Sequence, residues 1–199
     1  MARKSAPQPT ASTRDRILDA AVLRFARHSY EETKLRDIAS DVGVDVAYVH
    51  RCFGSKQHLF AEALTATTQF DRILASAGDD LAGALARKIV TRNAAANANE
   101  VEPLDIVIRS LCSAEATDVM RKFMLRDVIG PISRKLDDSA TRRAALITAF
   151  LAGVSTFRNV LRVEELRQAK GGELEKMIAK AIKWMIGEDT TAETGLSAT

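Results

Sequence analysis

Cysteine, proline, strand-like alternation and long apolar runs are all scarce in this chain, and each scarcity removes a class of protein. The only two cysteines of the 199 residues, Cys52 and Cys112, lie far apart and offer neither a disulfide framework nor a metal-ligand spacing. Both read as free thiols in a reducing compartment. Proline occurs four times, twice in the first ten residues and then at Pro103 and Pro131, which leaves long segments where helical periodicity runs unbroken. No alternation of period two marks a strand, and no repeat at solenoid period is present. The longest nearly uncharged apolar run, Ala144 to Phe157, falls short of the roughly 20 residues that span a bilayer. Only Arg3 and Lys4 precede a Pro-, Ser- and Thr-bearing stretch, with no apolar segment behind them. A secretory leader and a membrane partner are therefore not expected, and a cytoplasmic location is.

Catalytic signatures are missing as well. There is no glycine-rich phosphate loop, no HExxH and no G-x-S-x-G, so no catalytic residue, cofactor or enzyme activity is expected. His50, Cys52 and His58 are neighbours in sequence. A helix turns Cys52 to a different face from His50, however, and no carboxylate or second cysteine completes a tetrahedral set, so no metal site is expected.

What is present is an ordinary globular balance, 46% hydrophobic and 28% charged, at a length that suits one or two domains. The net charge of +3 is unevenly placed. Residues 1–56 hold ten Lys/Arg against seven Asp/Glu, whereas residues 57–199 hold nineteen of each. The whole excess sits in the first quarter, which points weakly to a polyanion partner for that part.

The chain reads as helices separated by capping residues. Ser12, with Asp15 three residues on, caps a helix from about Thr13 to His28 whose stripe is Ile17, Leu18, Ala21, Val22, Phe25 and Ala26. A second helix, expected to be capped by Thr33, puts Leu35, Ile38, Ala39 and Val42 on one face and stops at Gly43. Asp45 caps a third over Val46–Phe53, with Val49 and Phe53 inward; Gly54 ends it. Ser55 caps a fourth running from Lys56 into the Leu74 region. Later helices are expected at about 79–95, 103–114, 116–136 (kinked near Gly130-Pro131), 139–163 and 172–187.

Two short helices joined by a glycine turn make a helix-turn-helix layout. A major groove about 12 Å wide admits one helix, read by a few residues near its N-terminus. The third helix offers Val46, Ala47, Tyr48, His50 and Arg51 outward. Valine and alanine pack on a thymine methyl, while tyrosine, histidine and arginine donate to phosphates. Lys56 lies at a helix N-terminus that already favours an anion. Composition and periodicity alone also fit a plain three-helix core with a solvated face.

The run "TRDRILDAAVLRFARHSYEETKLRDIASDVGVDVAYVHRCFGSKQHLFAEAL", residues 13–64, resembles the DNA-binding domain of the TetR family of bacterial transcriptional repressors. The resemblance rests on "RILDAA" with its following Phe25, on "TKLRDIA", and on "GV" followed nine residues after the valine by "FGSK" and an apolar residue. It implies an all-α protein: a three-helix helix-turn-helix domain plus a larger C-terminal helical bundle for ligand binding and dimerisation. On that basis the chain divides into a disordered arm at 1–11, a DNA-binding domain at 12–56, a ligand-binding and dimerisation domain at 57–187, and a disordered tail at 188–199. The implied partner is double-stranded operator DNA, bound by a homodimer through Thr33, Lys34, Arg36, Asp45, Val46, Ala47, Tyr48, His50, Arg51 and Lys56. The pattern departs from the family at Asp45 (usually Ser or Thr), Tyr48 (more often Thr), His50 (usually Tyr) and Cys52 (usually His or Tyr).

The second domain has the composition of a bundle that can hold a cavity. The resemblance implies an unidentified small-molecule inducer there, with Phe70, Ile89, Arg109, Phe123, Met124, Phe150 and Phe157 as lining candidates. The helix at 139–163 carries two apolar faces, one with Leu146, Phe150, Gly153, Phe157 and Val160, the other small. Such a helix buries one face in its own bundle and one elsewhere. The resemblance implies a four-helix dimer interface from the last two helices, with Ala145, Ala149, Ala152, Gly153, Thr156, Ile178, Ile182 and Met185 as its candidates. Two other readings compete: a sequence-tolerant DNA-binding protein without a ligand switch, and a ligand-binding or enzymatic bundle with a vestigial DNA domain.

Overall fold

A computed structural model describes residues 12–91, 101–137, 139–167 and 172–188. The expected arm, nearly all of the expected tail, and residues 92–95 of the helix expected at 79–95 lie outside the described residues. Among the described residues the secondary structure is helical throughout, with no strand. The helices are α1 (Thr13–Arg27), α2 (Leu35–Val42), α3 (Val46–Phe53), α4 (Lys56–Thr67), α5 (Phe70–Ser76), α6 (Leu81–Thr91), α7 (Pro103–Ser110) and α8 (Ala114–Phe123). They continue with α9 (Gly130–Leu136), α10 (Thr141–Ser155), α11 (Glu164–Arg167) and α12 (Glu173–Ile186). π-Helical turns occupy Met124–Ile129 and Thr156–Val160.

Local chemistry sets most of these ends. Ser12 and Asp15 form the reciprocal capping box: the Asp15 backbone N–H donates to the Ser12 hydroxyl, and the Ser12 backbone N–H donates back to the Asp15 carboxylate. The expected cap of α2 is displaced by one residue. Lys34 holds the extended N-cap position without a side-chain bond, while the Thr33 hydroxyl is buried and donates to the Ser29 carbonyl at 3.0 Å. The expected long fourth helix breaks at Thr68. The Thr67 hydroxyl donates to the carbonyls of Ala63 and Leu64, a side-chain competition that weakens a helix end, and Thr68 turns to extended backbone. Ahead of Gly130-Pro131, where a kink is expected, the chain forms the π-helical turn at Met124–Ile129. Proline lacks an N–H and its ring crowds the preceding turn, which a widened turn relieves. Glycine is needed beside it, because a Cβ at position 130 would lie 2.9 Å from the Leu125 carbonyl oxygen.

The contacts divide the chain into two compact units. One holds the described residues of Met1–Thr68 and Val101–Phe123, the other those of Gln69–Glu100 and Met124–Thr199. The first unit thus reaches beyond the three-helix module, because α4 packs along α1, and α7 and α8 pack against α1 and α4. Its core includes Ile17, Phe25, Tyr30, Ile38, Val49, Leu59, Phe60 and Leu64, each at most 1% exposed. Phe25, Tyr30 and Phe60 form a three-ring cluster with centroid separations of 4.9, 5.1 and 6.2 Å. Each large apolar side chain buried this fully contributes roughly 1.5–3 kcal/mol. The second unit is built on α6 packed along α12, with α10 against both, around Leu81, Leu85, Ile147, Leu151, Ile178 and Ile182.

Candidate nucleic-acid interface

The turn between α2 and α3 is fixed by two residues. Gly43 closes α2 at φ 74°, ψ 38°, the left-handed conformation that side chains resist, and the Val44 N–H returns to the Ala39 carbonyl at 3.0 Å. Asp45 then opens α3, its carboxylate accepting from the Ala47 N–H at 2.6 Å. Val49 and Phe53 fasten α3 to the core, so its other faces turn to solvent.

Two ties hold this pair of helices on α1. The Arg24 guanidinium grips the Asp41 carboxylate through two nitrogens, one at 2.8 Å. That bond holds the Asp41 carboxyl below its ordinary range and raises Arg24. Arg16 donates to the Val42 carbonyl at 3.0 Å, satisfying an end of α2 that lacks a basic last turn. At the C-terminal side of α3, the Arg14 guanidinium lies 4.5 Å over the Phe53 ring and bonds Glu62 on α4 at 2.6 and 2.7 Å.

The residues expected to meet DNA fall into distinct groups. Lys34, Arg36, Ala47, His50 and Arg51 are exposed, and Val46 and Tyr48 are half-buried. Asp45 is exposed, yet its carboxylate is occupied as the cap. Thr33 is 1% exposed, so its side chain is withdrawn from any ligand; this corrects its assignment as a contact, and Lys34 takes the helix-start position. The His50 ring Nδ1 lies 3.2 Å from the Gly54 carbonyl, which orients the ring along the end of α3. The Arg51 guanidinium lies 5.2 Å over the Tyr48 ring. Lys56 is half-buried, with its Nζ 4.1 Å over the Tyr30 ring. Loss of water pushes the Lys56 ammonium below its ordinary pKa, partly offset by Glu115 and Glu31. Tyr30 itself is pushed up to about 12, chiefly by burial and then by Glu115. The exposed cations Lys34, Arg36 and Arg51 at the start of α2 and on α3 thus accompany two apolar side chains, Val46 and Ala47, in the first turn of α3. This suits a polyanion with methyl groups in its grooves.

The second unit shows a different surface. On α10 and its π-helical extension, Leu146, Ala149, Gly153, Phe157 and Val160 are exposed at spacings of three and four; on α12, Met177 and Trp184 are 64% and 76% exposed. The candidates Ala145, Ala152 and Thr156 are half-buried. Ile178 and Ile182 are not on this surface: they are 2% and 0% exposed, packed in the unit's own core, and Met185 packs against the same core. The sequence does place Met177 and Trp184 one position from Ile178 and Met185. Helix phase, set by which stripe meets α6, decides between them.

The expected pocket residues do not gather. Arg109 and Phe123 belong to the first unit, where Arg109 is exposed and Phe123 buried. Phe157 is 53% exposed, while Phe70, Ile89 and Phe150 pack on the core of the second unit, and Met124 is half-buried. A cavity of about 200 Å³ in the second unit is lined instead by Val90, Arg158, Leu166, Arg167, Leu174 and Glu175, with Gly172. Arg158 spans it, donating to the carbonyls of Val90 and Leu166 at 3.0 and 3.2 Å. Among the described residues no cluster of three His, Cys, Asp or Glu is placed to hold a metal ion, and no helix is long and apolar enough to cross a membrane.

Comparisons with known proteins agree with this geometry. Residues 17–63 match the family model described as bacterial regulatory proteins, tetR family, and residues 79–186 match the tetracyclin repressor-like C-terminal domain. A TetR-family regulator from Streptomyces coelicolor A3 is similar in structure, with a TM-score of 0.56 at 23% identity over 88% of this chain and 94% of that one. A transcriptional regulator from Rhodococcus sp. Rha1 gives 0.60 at 20% identity, over 89% and 97%. The fatty acid degradation regulator FadR from Bacillus halodurans gives 0.52 at 17%, over 90% and 97%. No curated protein matches. With its two domain models matched in order, one of them across more than half of its length, the chain belongs to the TetR family of DNA-binding, helix-turn-helix transcriptional regulators.

Proposed function

We propose that this chain is a cytoplasmic repressor that binds a pseudo-palindromic operator as a homodimer and leaves it when a small-molecule inducer binds. In this reading residues 12–56 read DNA, on a base supplied by α4, α7 and α8, and residues 57–187 carry ligand binding and dimerisation. The observation that carries it is the outward surface of α3 and the start of α2, which present Val46 and Ala47 together with the exposed cations Lys34, Arg36 and Arg51. Dimerisation is supported by the exposed apolar stripes on α10 and α12, which a lone chain leaves in water.

Release by an inducer requires that the ligand bind the two conformational states with different affinity. By linkage, operator DNA then weakens inducer binding by the same factor. The test has two arms. Labelled intergenic DNA beside the chain's own gene is titrated with the protein at several salt concentrations, and apolar metabolites are screened by thermal shift before being added to the preformed complex. Saturable binding that falls steeply with salt, reversed by a stabilising compound, is expected. A compound that stabilises the protein but leaves operator affinity unchanged would remove the switch from the proposal.

A second reading, sequence-tolerant DNA binding without a ligand, is favoured by Val46 and Ala47, which bring no hydrogen-bonding group to a base edge. A ratio of specific to non-specific affinity near one would establish it in place of the first.

A further inference from the structure

The outward pole of α3 singles out one residue. Val49 and Phe53 are its buried positions, and at about 100° per residue Arg51 stands roughly 160° from both. It is therefore the side chain aimed most directly away from the core. Ala47, one turn earlier, and Tyr48 flank it. Helical side chains lean towards the N-terminus, so Arg51 extends back over these two residues, towards the end of the helix that enters a groove. Its guanidinium lies 5.2 Å over the Tyr48 ring.

Among the outward groups of α3, Arg51 alone offers a planar fork of paired donors, where Tyr48 has a single hydroxyl and His50 a single further ring nitrogen. Val46 and Ala47 have no side-chain donor. The Asp45 carboxylate is engaged with the Ala47 N–H, and the His50 Nδ1 faces the Gly54 carbonyl. Lys34 and Arg36 lie at the start of α2, the helix that in this motif crosses the phosphate backbone. A planar guanidinium presented on an aromatic face loses less freedom on binding than a free one. Its bidentate match in the major groove is the O6 and N7 edge of guanine.

We propose that Arg51 is the residue that specifies sequence, that it reads a guanine in each half-site, and that Tyr48 is its positioning residue, acting through the ring face and not through the hydroxyl. This rests on the DNA-binding reading above and names the base to which that reading is tuned.

The experiment begins with enrichment of random duplexes on the purified full chain, followed by affinity measurements on single-base variants of the enriched half-site. Wild type should select a guanine whose replacement costs roughly 5- to 140-fold, the range for one bidentate pair. Replacing that guanine by 7-deazaguanine, which lacks the N7 acceptor, should remove part of the preference. Arg51→Ala should become indifferent to base identity and to 7-deazaguanine at that position while discriminating normally elsewhere. Tyr48→Phe should keep the guanine preference within about two-fold, and Tyr48→Ala should relax it, because only the ring face supports the guanidinium. Circular dichroism of each variant checks that the helices are intact.

Absence of any enriched sequence would remove the DNA-specific reading and this proposal with it. Enrichment that Arg51→Ala leaves unchanged, or an Arg51→Ala loss equal on all sequences, would overturn this proposal alone by making Arg51 dispensable or a phosphate contact. Tyr48→Phe as damaging as Tyr48→Ala would overturn the positioning role and assign the contact to the hydroxyl.

Discussion

Trp184 and Ile182 stand two residues apart on α12, and replacing each with alanine should have opposite consequences. Trp184 is 76% exposed in the single chain. A tryptophan offers up to about 250 Å², so roughly 190 Å² of it is available to a partner. At about 25 cal/mol/Å² that sets an upper limit near 5 kcal/mol per copy. Ordering costs and imperfect packing reduce such values, and truncation of a tryptophan anchor typically costs about 2 kcal/mol or more. A two-fold interface uses the residue twice, so Trp184→Ala should weaken dimerisation by at least about 4 kcal/mol, roughly 700-fold. The fold of the chain itself should change by no more than about 0.5 kcal/mol, because the side chain touches little of it. Ile182 is 0% exposed in its own core, so Ile182→Ala should cost about 2–5 kcal/mol of folding stability instead. Sedimentation equilibrium across a concentration series, with circular dichroism and urea unfolding on the same samples, separates the two effects. A wild-type chain that stays monomeric at micromolar concentration, or a Trp184→Ala dimer as tight as wild type, would refute the reasoning.

Other consequences follow from the DNA-binding unit. Gly43→Ala should cost about 1–2 kcal/mol, the backbone price of φ 74° alone, since an added Cβ meets nothing within 4 Å; urea unfolding measures it, and a loss well above that range would mean a neighbour is disturbed. Lys56→Ala should weaken binding to all sequences about equally and flatten the salt slope by roughly one unit, whereas Lys56→Met, which keeps the stem over Tyr30, should show the same slope change with less loss of stability. An unchanged slope in both would remove Lys56 from the phosphate contacts. Asp41 is held below its ordinary pKa by Arg24, so it favours the folded state above the unfolded value of about 3.9 and loses that contribution as pH falls through the lower folded value. Because its side chain is 41% exposed, the effect should stay under about 1 kcal/mol, and unfolding free energies of Asp41→Asn against wild type should converge at the acid end of a pH series.

The DNA-binding half was legible because its signals are local. Ser12 with Asp15, Gly43, Asp45, Gly54 and Ser55 each act within three or four residues, and every one of them stands at a helix boundary. Thr33 failed as the cap because Thr and Lys are adjacent, and the Thr33 hydroxyl turns back to the Ser29 carbonyl instead of forward to the helix. The second unit was harder for a related reason. Both α10 and α12 carry apolar residues on more than one face, so periodicity gives two possible stripes, and the choice depends on the distant partner α6. That is how Ile178 and Ile182 come to be inside while Met177 and Trp184 lie outside. The expected ligand set drew on residues from both units, a division that appears only once α7 and α8 are seen to pack on α1 and α4.

The chemistry of α3 and the apolar surface of α10 and α12 bear on one another through arithmetic. A specific binder needs about 4–10 kcal/mol of preference over bulk DNA. With Arg51 as the proposed base reader, a helix whose outward groups are Val46, Ala47, Tyr48, His50 and Arg51 would have one bidentate base-reading donor, worth about 1–3 kcal/mol, supplemented by methyl packing. One such helix falls short of the requirement. Two of them held at a fixed spacing double the contribution and bring it into range, and half-sites about 34–36 Å apart or a multiple of that enforce the pairing. On the proposed reading, a chain with so apolar a recognition helix would depend on its dimer surface for sequence choice as well as for affinity. Separated into monomers, the same helix would bind phosphates nearly regardless of sequence. The sequence-specific and sequence-tolerant readings would then differ by the state of assembly, and Trp184, remote in sequence from every proposed DNA contact, would weigh on which of them holds.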